Sequence, residues 1–345
     1  MIAEIPAPAP SPTAVATPRW QRELARAFRD PASLLEALGL EPAAHPLSAR
    51  HEAFPLRVPR GYVRRMERGN PRDPLLRQVL PLAEEDRPAP GFARDPVGDG
   101  PALAAPGLLH KYRGRALLLV TGACGVHCRY CFRRHFPYHA AGGHPAAWDQ
   151  AISRLAGDGS IHEVILSGGD PLSLPDERLA PLAERLAAIP HLQRLRIHTR
   201  LPVVLPERID DKLLAWLGGS RLQAVMVIHA NHGNEIDDDV AAAMALLRSA
   251  GITLLNQSVL LRGVNDEAEI LVRLSEKLFA AGVLPYYLHL LDRVQGAAHF
   301  EVPEAAAAAL HRALMARLPG YLVPRLVREE AGGAYKRPVM SGGDA

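Results

Sequence analysis

Short apolar runs recur at regular intervals through the second two thirds of the chain: ALLLV at 116–120, EVILS at 163–167, LRIHT at 195–199, AVMVIHA at 224–230, ITLLNQSV at 252–259 and LPYYLHL at 284–290. Their length and composition predict buried strands. Longer amphipathic stretches at 145–156, 176–188, 206–217, 235–249 and 266–281 separate them. Each is long enough to carry the chain back across a sheet, so the strands are expected to run parallel. Six such units predict an α/β fold with an incomplete (β/α)6 barrel, a pattern that a doubly wound sheet shares. The positions of the polar clusters favour the barrel. TGACGVHC, SGGDP, HTR, HANHGNE, NQS and HLLD each close one apolar run, and strand C-terminal ends form the face where a parallel barrel gathers its active site.

Upstream the pattern turns helical, from Trp20 to about Leu80: WQRELARAF, DPASLLEALGL with Asp30 as a cap, and PRGYVRRMERGNPRDPLLRQVL. Residues 81–110 are rich in Pro, Gly and acid without a sustained period and read as a connecting segment. The expected division is a disordered Pro/Ala-rich tail at 1–18, a helical region and linker at 19–110, the barrel at 111–330 and a C-terminal segment at 331–345.

Composition narrows the setting. A chain of 345 residues buries a substantial core, and a net charge of +3 points to neither a nucleic-acid nor a membrane partner. The first residues lack a secretory pattern, and no apolar run approaches the roughly 20 residues needed to cross a bilayer. The 3 cysteines fall within eight residues, which argues against a disulfide framework and for a reducing cytoplasm.

Those cysteines are the strongest chemical signal. Cys124-x3-Cys128-x2-Cys131 offers three thiolates on a loop directly after the first strand. In a 4Fe–4S cluster this leaves one iron open to a chelating small molecule. The alternative is a Cys3His zinc site completed by His127 or His135, although zinc sites usually use paired Cys-x2-Cys knuckles. Ser167-Gly168-Gly169-Asp170 puts two glycines at a strand end where backbone can approach a ligand and Asp170 can meet an ammonium; the bland alternative is a tight turn. His229, Asn231, His232 and Gln257 end the fourth and fifth strands, as ligand contacts or as ordinary satisfied polar groups.

The CxxxCxxC loop resembles the hallmark of the radical S-adenosylmethionine superfamily. CGVHCRYCFRRHFPY, SGGDPL, HTRLPVVLPERI, NQSVLLRGVND and GGAYKRP narrow the resemblance to the lysine 2,3-aminomutase family. LRVPRGYVRRMERGNPRDPLLRQVL, APGFARDP and PGLLHKY are similar to the branch that makes β-lysine for elongation factor P. The likeness runs from about Leu56 to Met340.

The resemblance implies a 4Fe–4S cluster on Cys124, Cys128 and Cys131 whose open iron binds S-adenosylmethionine, with Ser167, Gly168, Gly169, Asp170, His229, Asn231 and Gln257 around that cofactor. It implies pyridoxal 5'-phosphate on Lys336, with Tyr112 and Arg115 near its ring and phosphate. Without the resemblance, Lys336 reads as a surface charge and Tyr112 and Arg115 as an exposed loop. It implies Arg133 on the carboxylate of L-lysine and Asp292 on the distal ammonium, with Glu329 where the family carries an aspartate. The longer Glu329 bears on pocket depth; acid at both positions suits a cationic substrate. The implied reaction moves the amine from C2 to C3 and gives (R)-β-lysine, with electrons from a flavodoxin or ferredoxin. A separate ligase then uses the product on elongation factor P, with no direct contact required. The alternatives are a β-lysine enzyme of general metabolism, disfavoured by the N-terminal motifs and the nine residues after Lys336; a different radical reaction; and a non-enzymatic iron–sulfur or zinc-binding protein.

Overall fold

The computed structural model describes residues 17–339. Most of the tail expected at 1–18, and the last residues of the segment expected at 331–345, lie outside the described residues.

Ten strands among these residues form one sheet, hydrogen-bonded in chain order: β1 (Leu103–Ala105), β2 (Leu108–Tyr112), β3 (Arg115–Thr121), β4 (Glu163–Gly168), β5 (Arg194–Thr199), β6 (Gln223–Ile228), β7 (Thr253–Val259), β8 (Leu284–His289), β9 (Arg325–Arg328) and β10 (Arg337–Pro338). The six strands expected from the sequence are β3 to β8, all parallel, and β9 adds a seventh. β1, β2 and β10 extend the edges in antiparallel fashion. In a flat sheet β3 and β9 would lie about 30 Å apart. Leu117 of β3 and Glu329, just past β9, nevertheless line one cavity, so the sheet curls into a partial barrel whose ends do not pair.

Burial follows from that curl. β4 is buried at every position, as expected for a strand covered on both faces. β5 alternates: Leu195, Ile197 and Thr199 are buried while Arg196 and His198 turn into the cavity. The outer layer is the helices Trp148–Ala156, Asp176–Ala187, Asp211–Gly218, Asp238–Ser249 and Ala268–Ala280. The expected helix at 206–217 is split, because the Asp210 side chain accepts from Leu213 N at 3.0 Å and starts a new helix there. Asp237 likewise caps through Val240 N at 3.0 Å, so the helix expected from 235 begins later.

In the N-terminal region, Asp30 accepts from Ser33 N at 2.8 Å and caps the helix Pro31–Ala37. PRGYVRRMERGNPRDPLLRQVL yields two single turns, Arg60–Val63 and Pro74–Arg77, because Gly69 takes a φ of 73° and Pro71 and Pro74 follow. Leu34, Leu35, Tyr62 and Leu75 share one apolar core with Leu118, Val120, Leu166 and Ile197 of the sheet. Residues 81–110, expected as a connector, carry β1 and most of β2. They also bury two acids: Glu85 bonds Arg129 Nη2 at 2.5 Å and Arg134 Nη2 at 2.7 Å, and Asp99 bonds Arg133 Nε at 2.6 Å. No helix among the described residues is long and apolar enough to cross a membrane.

Candidate active site

The cysteine loop leaves β3 at Thr121, and Cys124, Cys128 and Cys131 all line one cavity at the C-terminal end of the strands. Burial, and then the charge of the neighbouring cysteines, pushes the Cys124 thiol up and the Cys131 thiol up to about 11. A metal centre held here would have to displace those protons on binding. Among the described residues no group of three or more His, Cys, Asp and Glu is arranged to hold a single metal ion. The imidazoles of the zinc alternative are engaged elsewhere: His127 Nδ1 lies 2.7 Å from Pro55 O with its ring stacked on Phe54, and His135 Nε2 lies 3.1 Å from Gln295 O. Three thiols around one cavity, without a fourth protein ligand, fit a cluster with one open iron.

Two glycines at the end of β4 let this loop sit where it does. Gly168 has φ 122°, and a Cβ there would run into the carbonyl oxygen of Thr121; one on Gly169 would run into that of Ala123. Gly169 N donates to Thr121 O at 2.7 Å and Asp170 N to Ala123 O at 2.8 Å. Ser167, Gly168 and Gly169 line the cysteine cavity.

Two residues expected at a ligand take other work. Asp170 Oδ1 accepts from Thr199 Oγ1 at 2.7 Å and Leu172 N at 3.1 Å, and Oδ2 from Arg200 N at 2.7 Å and Leu201 N at 3.1 Å. Four donors engage both oxygens, so the carboxylate braces the turn after β5 while the residue also lines the cysteine cavity beside Ser167, Gly168 and Gly169. Asn231 donates to Gln78 Oε1 at 2.9 Å and Tyr130 Oη at 2.7 Å and accepts from Val259 N at 2.8 Å. It is a buried connector, absent from the cavity walls. His232 Nδ1 accepts from Asn234 N and caps a turn.

A second cavity lies beside the first and carries Lys336, Glu329, Tyr112 and Arg115. The two share a wall that includes Arg133, Ser167, His198, His229, Gln257, His289 and Asp292. In that wall His198 Nε2, His229 Nε2, Gln257 Oε1 and His289 Nε2 are buried without a hydrogen-bond partner. Buried polar atoms are seldom left so, and together they mark where a polar ligand belongs. Burial lowers all three imidazoles, His229 to about 4, with nearby cations adding to it. They are therefore neutral at physiological pH.

Charge in the second cavity runs along a chain of contacts. Arg133 donates from Nε to Asp99 Oδ2 at 2.6 Å and from Nη1 to Ser167 Oγ at 3.1 Å. Lys111 Nζ bridges Asp99 at 2.6 Å and Glu329 Oε1 at 3.0 Å, and Lys336 Nζ reaches Glu329 Oε2 at 2.6 Å. Both Glu329 oxygens are thus held by lysines. Burial would raise its carboxyl, but the Lys336 and Lys111 charges outweigh this and hold it well below the usual range. For Asp292 burial, and then the Glu329 charge, push the carboxyl up to about 7 against the pull of Lys336 and Lys111. Arg115 lies over the Tyr112 ring at 4.6 Å and has no ion-pair partner among the described residues. Lys336 Nζ lies 5.9 Å from the centre of the Tyr287 ring. A lysine amine beside an aromatic ring, with Lys111 and Arg115 in the same walls, suits a flat carbonyl-bearing ligand with a phosphate.

Sequence reasoning missed Asp99, Lys111, His198 and His289. The two histidines belonged to the strand-end clusters HTR and HLLD, a usable signal. Asp99 and Lys111 lay in or beside the apparent connector and gave none.

Residues 118–274 match the radical SAM superfamily. The chain is 51% identical over 322 residues to an L-lysine 2,3-aminomutase of Escherichia coli (strain K12), covering 93% of this chain and 94% of the relative. It is 52% identical over 318 residues to an L-lysine 2,3-aminomutase of Haemophilus influenzae, with 92% and 94% covered. A Clostridium subterminale L-lysine 2,3-aminomutase is 38% identical over 281 residues, 81% of this chain and 67% of that one. With about half its residues shared across nearly its whole described length, the chain belongs to the lysine 2,3-aminomutase family of radical S-adenosylmethionine isomerases.

Proposed function

We propose that this chain converts L-lysine to (R)-β-lysine for modification of elongation factor P, with a 4Fe–4S cluster, S-adenosylmethionine and pyridoxal 5'-phosphate as cofactors. The observation that carries the reading is the shared wall: a three-thiol cavity and a lysine-bearing cavity meet at unpartnered polar atoms. When bound, the cluster and S-adenosylmethionine supply a carbon radical able to remove an unactivated hydrogen, and pyridoxal phosphate supplies an imine across which nitrogen can migrate.

The chain's own residues divide this work. Cys124, Cys128 and Cys131 hold the cluster; Ser167, Gly168, Gly169, His229 and Gln257 surround S-adenosylmethionine; Lys336, Tyr112 and Arg115 hold the pyridoxal. Arg133, fixed by Asp99 and Ser167, receives the lysine carboxylate in the shared wall. Asp292 and Glu329 favour a cation at the far end of the substrate. Lys336 Nζ lies on Glu329 Oε2 at 2.6 Å, so a cationic group at the far end of the substrate would meet this carboxylate in competition with the Lys336 amine. The apolar side chains of Phe132, Phe136 and Val259 help keep water from the cysteine cavity.

The elongation factor P role rests on the N-terminal motifs. They include Tyr62 and Gln78, which pack beside the cysteine loop. A reducing cytoplasm and a flavodoxin or ferredoxin donor belong to the same reading. The test is an anaerobic assay of reconstituted protein with S-adenosylmethionine, pyridoxal phosphate, dithionite and L-lysine, read by mass spectrometry and chiral chromatography. (R)-β-lysine is the expected product. Reductive cleavage of S-adenosylmethionine without β-lysine would keep the radical chemistry and remove lysine as substrate.

A further inference from the structure

HTR carries Arg200 just past the end of β5, a residue given no part in the chemistry above. It is 4% exposed, and its two terminal nitrogens divide their bonds unequally. Nη1 donates to Cys128 Sγ at 2.7 Å and Tyr130 Oη at 2.6 Å. Nη2 donates to Gln78 Oε1 at 2.7 Å, Glu235 Oε2 at 2.9 Å and Tyr62 Oη at 3.1 Å.

We propose that Arg200 sets the reduction potential of the 4Fe–4S cluster by donating a hydrogen bond to the Cys128 sulfur, within a frame that Glu235, Gln78, Tyr62 and Tyr130 hold in place. The proposal rests on the cluster assigned to the three cysteines.

The frame is made of protein groups alone. Glu235 is fully buried, and its Oε1 accepts from Asn231 N at 2.8 Å, His232 N at 3.1 Å and Gln78 Nε2 at 3.1 Å. The Arg200 backbone N is itself tied to Asp170 Oδ2. A guanidinium needed only to neutralise Glu235 would put its fork on the carboxylate; here one arm goes to a cluster sulfur.

Reduction brings one electron into the cluster from an external low-potential donor, and no bond forms or breaks. The added negative charge spreads over iron and sulfur. A buried cation donating to a ligand sulfur stabilises the reduced state more than the oxidised state, and hydrogen bonds to sulfur are one of the recognised controls of cluster potential. Arg200 therefore raises the potential and eases reduction. It also explains why Tyr62 and Gln78 reach the strand ends from the helical lead-in: they fix the angle of this side chain.

The test uses the reconstituted full chain in an anaerobic potentiometric titration with dithionite and mediators, followed by the electron paramagnetic resonance signal of the reduced cluster. Iron and sulfide are assayed on the same samples. R200Q, with full iron and sulfide, is expected to show a reduction equilibrium about tenfold less favourable, a fall of ~59 mV for a one-electron couple. R200K, which keeps the charge and loses the fork, should fall between. R200Q at the wild-type potential with a full cluster overturns the proposal and leaves Arg200 a structural clamp. If R200Q does not load iron, the wild-type chain labelled with 15N-arginine decides by electron–nuclear double resonance on the reduced cluster. A guanidino 15N coupling supports the proposal, and its absence overturns it. A wild-type protein that takes up no iron and sulfide overturns the cluster reading itself, and this proposal with it.

Discussion

Asp292 and Glu329 lie in one cavity and titrate in opposite directions, because only Glu329 has two lysines on its oxygens. Asp292 is held up to about 7, so between pH 4 and pH 7 the folded chain binds a proton there that the unfolded chain, with an ordinary carboxyl near 4, releases. Asp292 therefore lowers stability progressively as pH rises through that window. Asp292→Asn should melt close to the wild type at pH 4 and above it at pH 8, and a gap that does not open with pH would contradict the assigned environment. In the assay the wild-type KM for lysine should fall from pH 6 to pH 8 as Asp292 ionises, and the Asn variant should lose that dependence. At this scale the spacing of the cysteines predicts that all three meet at one place, and they line one cavity. Asn231 is absent from the cavity walls, which the sequence does not show, because a polar residue at a strand end looks the same there whether it faces the cavity or spends its amide on buried neighbours, here Gln78, Tyr130 and the backbone of Val259.

The elements show what local pattern can and cannot reveal. β3 to β8 were legible because each carries a sustained apolar run. β9 was not, since RLVR offers four residues, and the helix Glu304–Arg317 is an alanine-rich stretch without an apolar stripe. The segment 81–110 is instructive because its buried side chains are acids, which composition reads as solvent-facing. Glu85 sits between Arg129 and Arg134, and Arg129 has no exposure at all. Removing one partner of a buried pair strands the other charge, at a cost of about 3–5 kcal/mol. Glu85→Ala should lower unfolding free energy by that order in denaturant titration, whereas Glu52→Ala, at an exposed position, should change it by about 0.5 kcal/mol or less. Equal effects would mean that 81–110 is the loose connector its composition suggests.

For the whole molecule, the curl of the sheet is the functional fact. It brings the cysteine loop after β3 and the lysine after β9, far apart in sequence, to opposite sides of one polar wall, and no periodicity in the chain encodes that meeting. The parallel order and the strand-end clusters predicted the face; only the structure shows two chambers with a shared boundary. Separable chambers demand separable defects. Cys128→Ala should abolish S-adenosylmethionine cleavage while pyridoxal binding persists. The most direct test is Lys336→Ala, reconstituted anaerobically and examined for iron and sulfide, protein-bound pyridoxal absorbance, S-adenosylmethionine cleavage and β-lysine. The account predicts an intact cluster and residual cleavage, with the pyridoxal absorbance and β-lysine lost. A variant that still makes β-lysine, or one that loses the cluster along with the pyridoxal, would contradict it.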